Sequence, residues 1–188
     1  MLDFKNNKSR CIFDIGTNKI VCLIYDITKG NLNVHEWSHK QSLGLNRSKI
    51  LNMDKVSKSI IDTTKEIKKK IDKINVNITD IDFLSKKKYS EINIGGIKIS
   101  KKEIRRSFKK SLQNSNLSQK NLIHSIPLNF IVDGTQSYSD PFGIFCNNLG
   151  VNTFNIWINT VILKNLESCF RNANILIENS IDTSFASA

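Results

Sequence analysis

The sequence predicts an α/β (α+β) protein built largely from short strands. Three observations carry that class. Apolar, β-branched runs recur along the chain, as in Cys11-Ile12-Phe13 and Ile20-Val21-Cys22-Leu23-Ile24. The stretches Asp54–Lys73 and Ser100–Gln113 instead repeat their apolar residues at helical spacing. Gly and Asn punctuate the boundaries between them. A length of 188 residues suits one domain, or two small intertwined ones, with a real core.

Strand pairing begins at once. The two opening runs flank Asp14-Ile15-Gly16-Thr17-Asn18-Lys19, which reads as a tight hairpin whose Gly and Asn accept positive φ. Backbone amides at such a tip form an anion site, to which Thr17 adds a hydroxyl and Lys19 a charge. Asp14, where the first strand ends, is placed to position a hydrated Mg²⁺ beside a phosphate. From these residues alone, a phosphate loop and an ordinary polar-tipped hairpin both remain open.

Gly30-Asn31 marks a turn and Leu32–Trp37 a third strand, with loop over Gln41–Leu51. His35 and His39 sit on a strand-to-loop stretch, an unconvincing spacing for a metal pair. The helix over Asp54–Lys73, capped by Asp54, carries Val56, Ile60, Ile67, Ile71 and Ile74 at helical spacing, with lysines on its other faces. Asn75–Asp82 reads as a polar connector, Ile81–Leu84 as a short strand, and Lys86-Lys87-Lys88 follows it. Ile92–Ile99 is a strand bulged at Gly95-Gly96. Ser100 and Glu103 form a capping box for a helix ending near Gln113. That helix turns Ile104, Phe108 and Leu112 inward and Arg105, Arg106, Lys109 and Lys110 outward.

Beyond a polar break at Asn114–Gln119, Asn121–Asp133 is a strand that Pro127 must interrupt, bulge or hold at an edge. His124 within it reads as a hydrogen-bonded structural histidine; nothing sets it in a catalytic triad. Asp140-Pro141-Phe142-Gly143 is a turn and Val151–Asn159 a strand. Thr160 caps a third helix with Ile162, Leu166, Phe170 and Ala173 inward, and Ile175-Leu176-Ile177 begins the last strand.

The composition is globular, at 39% hydrophobic and 24% charged. A net charge of +11 favours anionic partners: nucleic acid, anionic lipid or nucleotide. The abundance of Lys, Asn and Ile also fits a general residue bias that leaves much of this charge as solvated surface. Base-stacking aromatics are not interleaved with the lysines, which argues against a specific nucleic-acid binder. Cys11, Cys22, Cys146 and Cys169 are scattered, without a metal knuckle or disulfide framework. Met1–Arg10 is polar and basic, unlike a secretory signal, and no run is apolar enough to span a bilayer. The expected location is a reducing cytoplasm.

The chain resembles the N-terminal half of the FtsA family, the actin-like bacterial cell-division proteins. Asp14–Val21 is similar to that family's first phosphate loop. Ile123–Gly134, Asp140-Pro141-Phe142-Gly143, Leu149-Gly150-Val151 with the strand to Thr160, Lys164-Asn165-Leu166-Glu167 and Ala186-Ser187-Ala188 follow in the family's order. The resemblance implies a partial actin-like, RNase H-like subdomain carrying a small inserted sheet-plus-helix subdomain of the SHS2 type. Residues 1–81 would be the first part of subdomain 1A, 82–159 the inserted subdomain 1C, and 160–188 the return to 1A.

It further implies ATP with Mg²⁺ held by Asp14, Gly16, Thr17, Asn18 and Lys19, with Asp14 on the metal side and no catalytic base assigned. In full form the family is at most a weak ATPase. It links the FtsZ ring to the membrane, recruits later division proteins, and meets other FtsA protomers through the inserted subdomain. It works at the cytoplasmic face of the membrane at the division septum. The second phosphate hairpin, the adenosine site and the C-terminal membrane helix would lie beyond Ala188. A gene fragment, a truncated product or a divergent remnant is therefore expected, holding half a nucleotide site; the alternative is a nucleotide-free protein-interaction module working through the inserted subdomain. Lys86-Lys87-Lys88 departs from the Gly- and His-containing segment expected there.

Overall fold

The structure, a computed structural model, describes residues 9–46, 49–78, 83–113 and 117–183. In chain order its first elements are β1 (Arg10–Ile15), β2 (Lys19–Thr28), β3 (Asn31–Gln41), β4 (Leu45–Asn46), β5 (Lys49–Ile50), α1 (Met53–Thr64) and β6 (Lys73–Ile78). There follow β7 (Leu84–Lys98), α2 (Lys101–Gln113), β8 (Lys120–Val132), β9 (Gln136–Tyr138), β10 (Phe145–Asn159), α3 (Thr160–Arg171) and β11 (Leu176–Asp182). They form two compact units, Met1–Ile81 with Val161–Ala188, and Asp82–Thr160.

The first unit is a five-stranded sheet in the order β11-β6-β1-β2-β3. β1, β2 and β3 make an antiparallel meander, and β6 and β11 continue it parallel to β1. Cys11, Phe13, Ile15, Ile20, Cys22 and Ile24 alternate onto one buried face. Phe13 meets Phe170 of α3 edge to face, ring centroids 5.1 Å apart. α3 lies beside α1, where Asn172 Nδ2 donates to Ser57 Oγ at 3.1 Å. On the opposite face Ile12, Asp14, Val21 and Leu23 are half-buried and Trp37 is exposed.

The second unit is a four-stranded antiparallel sheet, β7-β10-β8-β9, with α2 against β7 and β10. Ile92, Ile94, Ile99, Phe130, Val132, Cys146, Leu149 and Val151 form its core, with Ile104 of α2 packed on it. Leu84 pairs with Trp157, so the chain enters and leaves this unit side by side.

Several elements differ from the sequence expectation, each for a local reason. The helix expected over Asp54–Lys73 is α1, and its N-cap is Asn52, whose Oδ1 accepts from Lys55 N at 2.9 Å. It stops at Thr64 because Thr63 and Thr64 turn their hydroxyls back onto Ser59 and Ile61 carbonyls, and Glu66 leaves the helix line for Ser38 and Lys40. Ile67 still reaches the core, from a turn.

The polar connector expected from Asn75 is instead the interior strand β6. Ile74, Val76 and Ile78 are buried and alternate with Asn75 and Asn77. The run from Leu84 to Lys98 is one strand, in which Lys86-Lys87-Lys88 lies along the sheet edge; residues 81 and 82 of the expected short strand lie outside the described residues. Gly95 and Gly96 do take positive φ, beside a register shift. Pro127 pairs with Thr153 next to a second shift, beyond the reach of short β9. The capping box at α2 forms as expected. Ser100 N donates to Glu103 Oε2 at 3.2 Å, and Ser100 Oγ accepts from Lys102 N at 3.1 Å.

Candidate phosphate-binding site

The bend at the end of β1 is at the surface. Thr17, Asn18 and Lys19 are exposed and Gly16 is half-buried, between the buried Ile15 and Ile20. Its turn chemistry differs from the expectation: no residue of 16–18 has positive φ. The bend is closed by Gly16 N donating to Lys19 O at 3.0 Å and is tied down by Ser42 N donating to Asn18 O at 3.0 Å. Glycine suits a close approach here: a Cβ at Gly16 would lie 3.1 Å from Lys19 O, a tight contact that the bend would have to relax by a few tenths of an ångström. The positive φ values of the meander fall instead at Lys29 and Gly30, in the β2–β3 turn.

Asp14 sits one residue before the bend, half-buried. Its Oδ1 accepts from Asn77 Nδ2 at 2.8 Å, and Asn77 Oδ1 accepts from Thr183 Oγ1 at 3.1 Å. These side chains line the carboxyl ends of the parallel strands β1, β6 and β11, where open α/β sheets place their ligands. One register step on, Asp182 pairs with Ile78 and is buried on the other face.

Sequence reasoning missed Asn77, Thr183 and Asp182. The alternation of apolar residues with Asn over Lys73–Ile78 was the available signal for the first. The second and third depend on how far β11 runs.

The residues fit a phosphate. Among the described residues, the backbone N–H groups of Thr17 and Asn18 donate to no protein acceptor, and Lys19 Nζ has no ion pair. Asp14 Oδ2 has no hydrogen-bond partner among them either, which suits a cation on that side. Among the described residues no group of three His, Cys, Asp or Glu side chains is gathered for a metal. His35 Nε2 instead contacts Asp26 Oδ2 at 2.7 Å, while the ring of His39 stacks on Trp37.

A groove of about 580 Å³ opens at the opposite ends of β1 and β6, lined by Arg10, Lys70, Asp72, Lys73 and Glu178 among others. Two of its four cations are ion-paired, Lys70 with Asp72 at 3.0 Å and Lys73 with Glu178 at 3.8 Å, and Lys69 Nζ donates to Ser9 Oγ at 3.1 Å. The groove is thus a second cationic surface of this unit, at the opposite strand ends from the bend.

All four cysteines are free and buried. Cys11 Sγ lies 3.6 Å from Cys22 Sγ, a contact that together with burial pushes the Cys11 thiol well up. Burial likewise raises Cys146 and Cys169.

Comparison with known proteins shows likenesses of three kinds. A family model describing the SHS2 domain inserted in FtsA matches residues 82–157. The cell division protein FtsA of Agrobacterium fabrum is 24% identical over 201 residues, covering 99% of this chain and 45% of the relative. FtsA of Rhizobium meliloti is 25% identical over 191 residues, covering 94% of this chain and 43% of the relative. The chain thus spans a little under half the length of the curated relatives it matches. Among solved structures, a chain of the PilM–PilN type IV pilus biogenesis complex shares the fold, with a TM-score of 0.61 at 10% identity over 96% of this chain and 49% of that one.

The expected fold class holds: a mixed helix-and-strand chain in which a five-stranded sheet is interrupted by an SHS2-type insertion. No helix among the described residues is long and apolar enough to cross a membrane. The SHS2 match over residues 82–157 and the alignment along 99% of the chain together support a partial FtsA.

Proposed function

We propose that this chain carries one side of the nucleotide site, and the interaction subdomain, of an FtsA-type protein at the cytoplasmic face of the membrane. The observation that supports the reading is the exposed bend at the carboxyl end of β1, in a chain alignable with FtsA along 99% of its length. Thr17 and Asn18 offer backbone amides to the phosphates of ATP, with the Thr17 hydroxyl beside them, while Gly16 closes the bend through its bond to Lys19 O. Lys19 supplies a charge. Asp14, whose Oδ1 accepts from Asn77 Nδ2, would hold a hydrated Mg²⁺ that supplies charge neutralisation beside the phosphates. The bound nucleotide supplies the polyphosphate charge that this loop neutralises.

The rest of the nucleotide clamp, the link to FtsZ and the recruitment of later division proteins belong to the whole protein in this reading. Residues 82–159 form subdomain 1C, which meets other FtsA protomers and division proteins, and the flanking segments form subdomain 1A.

Titration with Mg-ATP, followed by amide NMR and calorimetry, tests the site. The expected result is a set of shifts confined to Asp14–Lys19 and the Asn77 side chain, with Lys19→Ala weakening binding about tenfold or more. Shifts centred on Lys69–Asn75 in the opposite groove, or tight binding indifferent to Lys19→Ala, would overturn it.

A further inference from the structure

The outward half of α2 is made almost wholly of cations. At about 100° per residue, Lys101, Lys102, Arg105, Arg106, Lys109 and Lys110 share an arc of about 180°. All six are exposed. They run about 14 Å along the helix in three rungs one turn apart. The inward half, Glu103, Ile104, Ser107, Phe108, Ser111 and Leu112, lies on the sheet, with Ser107 Oγ donating to Leu149 O at 3.5 Å. Among the described residues no acidic side chain pairs with any of the six. Glu103, the acid on this helix, is turned inward onto Ser100, which holds its carboxyl below the usual range. Four like-charge contacts at i,i+4 spacing therefore work against the helix, and no ion pair among the described residues offsets them.

We infer that this face of α2 is an electrostatic docking surface for anionic lipid headgroups. Charge complementarity restricts the occupant to a polyanion, and the shape of the face selects among polyanions. The face is convex and carries no aromatic or aliphatic anchor, so it lacks the buried centre that a protein partner would need. α2 packs lengthwise on β7 and β10 and does not project from the unit, as a helix entering a major groove must. A plane of anionic headgroups requires neither an anchor nor projection; it rewards cations laid along one side of a helix. The inference does not depend on the nucleotide reading. It gives the proposed membrane setting a contact within the inserted unit.

The test is co-sedimentation of the whole chain with phosphatidylcholine vesicles, pure or containing roughly a quarter phosphatidylglycerol, at low and high salt. The expected result is binding to the anionic vesicles alone, fading with salt. Arg105→Gln with Arg106→Gln should weaken it about 30-fold, at about fivefold per cation. Lys101→Gln with Lys110→Gln, at the two ends of the stripe, should weaken it similarly; circular dichroism shows whether either pair perturbs folding, and the pair that leaves the helix intact carries the test. Equal binding to neutral vesicles, no binding at low salt, or binding unchanged in both variants would overturn the proposal. So would salt-sensitive capture of duplex DNA or of polyglutamate without any vesicle binding. Each of these leaves the Mg-ATP titration at the bend untouched, so the two readings fail separately.

Discussion

Asp26 shows how much a few neighbours do to one carboxylate. Asn33 Nδ2 donates to it at 2.9 Å, His35 lies 2.7 Å away and Thr28 Oγ1 donates at 2.9 Å, which together hold its carboxyl down at about 2. A carboxylate depressed on folding stabilises the fold above its unfolded value of about 3.9 and loses that contribution as pH falls toward 2. A carboxyl-carbon NMR titration should place Asp26 near 2, and Asp26→Asn should flatten the acid limb of stability between those values.

Gly44 makes the complementary point about backbone. It has φ +82°, its carbonyl accepts from both Leu51 N and Asn52 N, and a Cβ there would lie 2.6 Å from Asn52 O. Gly44→Ala should therefore cost roughly 1–3 kcal/mol in urea unfolding, through strain together with the clash. Legibility at this scale follows the range of the interactions involved. The capping box of Ser100 and Glu103 was readable because its partners are three residues apart. The φ values at Gly16–Asn18 were not readable, because Ser42 clips that bend from a distant loop.

At the scale of elements, the apolar period was reliable wherever it had a single meaning. β1, β2 and α2 stood out because alternation or helical spacing was unbroken. β6 did not, since Asn between Ile and Val looks like linker until neighbouring strands bury both sides. α1 was overextended because Ile67 and Ile71 keep the helical period after Thr63 and Thr64 have ended the hydrogen-bond ladder. The helices are held by what they bury. Phe170 of α3 is fully buried edge-on to fully buried Phe13 of β1. Phe170→Ala should cost about 3–5 kcal/mol, read as a lowered denaturant midpoint with an unchanged slope. The candidate site was legible only in its local half. Asp14 and the bend lie within one short motif, whereas Asn77 and Thr183 reach it through pairing across β6 and β11.

At the scale of the molecule, the chain makes an open sheet, departs after β6, builds Asp82–Thr160, and returns to place β11 beside β6. The inserted unit has its own core, and the rungs of its β7–β10 pair are satisfied within it. Residues 82–160 expressed alone should therefore fold cooperatively, with slow amide exchange in β7, β8 and β10; collapse of exchange protection across those strands would refute this. The pairing of Leu84 with Trp157 has a consequence for descent as well as for folding. A cassette whose two ends meet can be exchanged by recombination at two nearby junctions. A lineage can thus replace the inserted unit while leaving the five-stranded sheet in place.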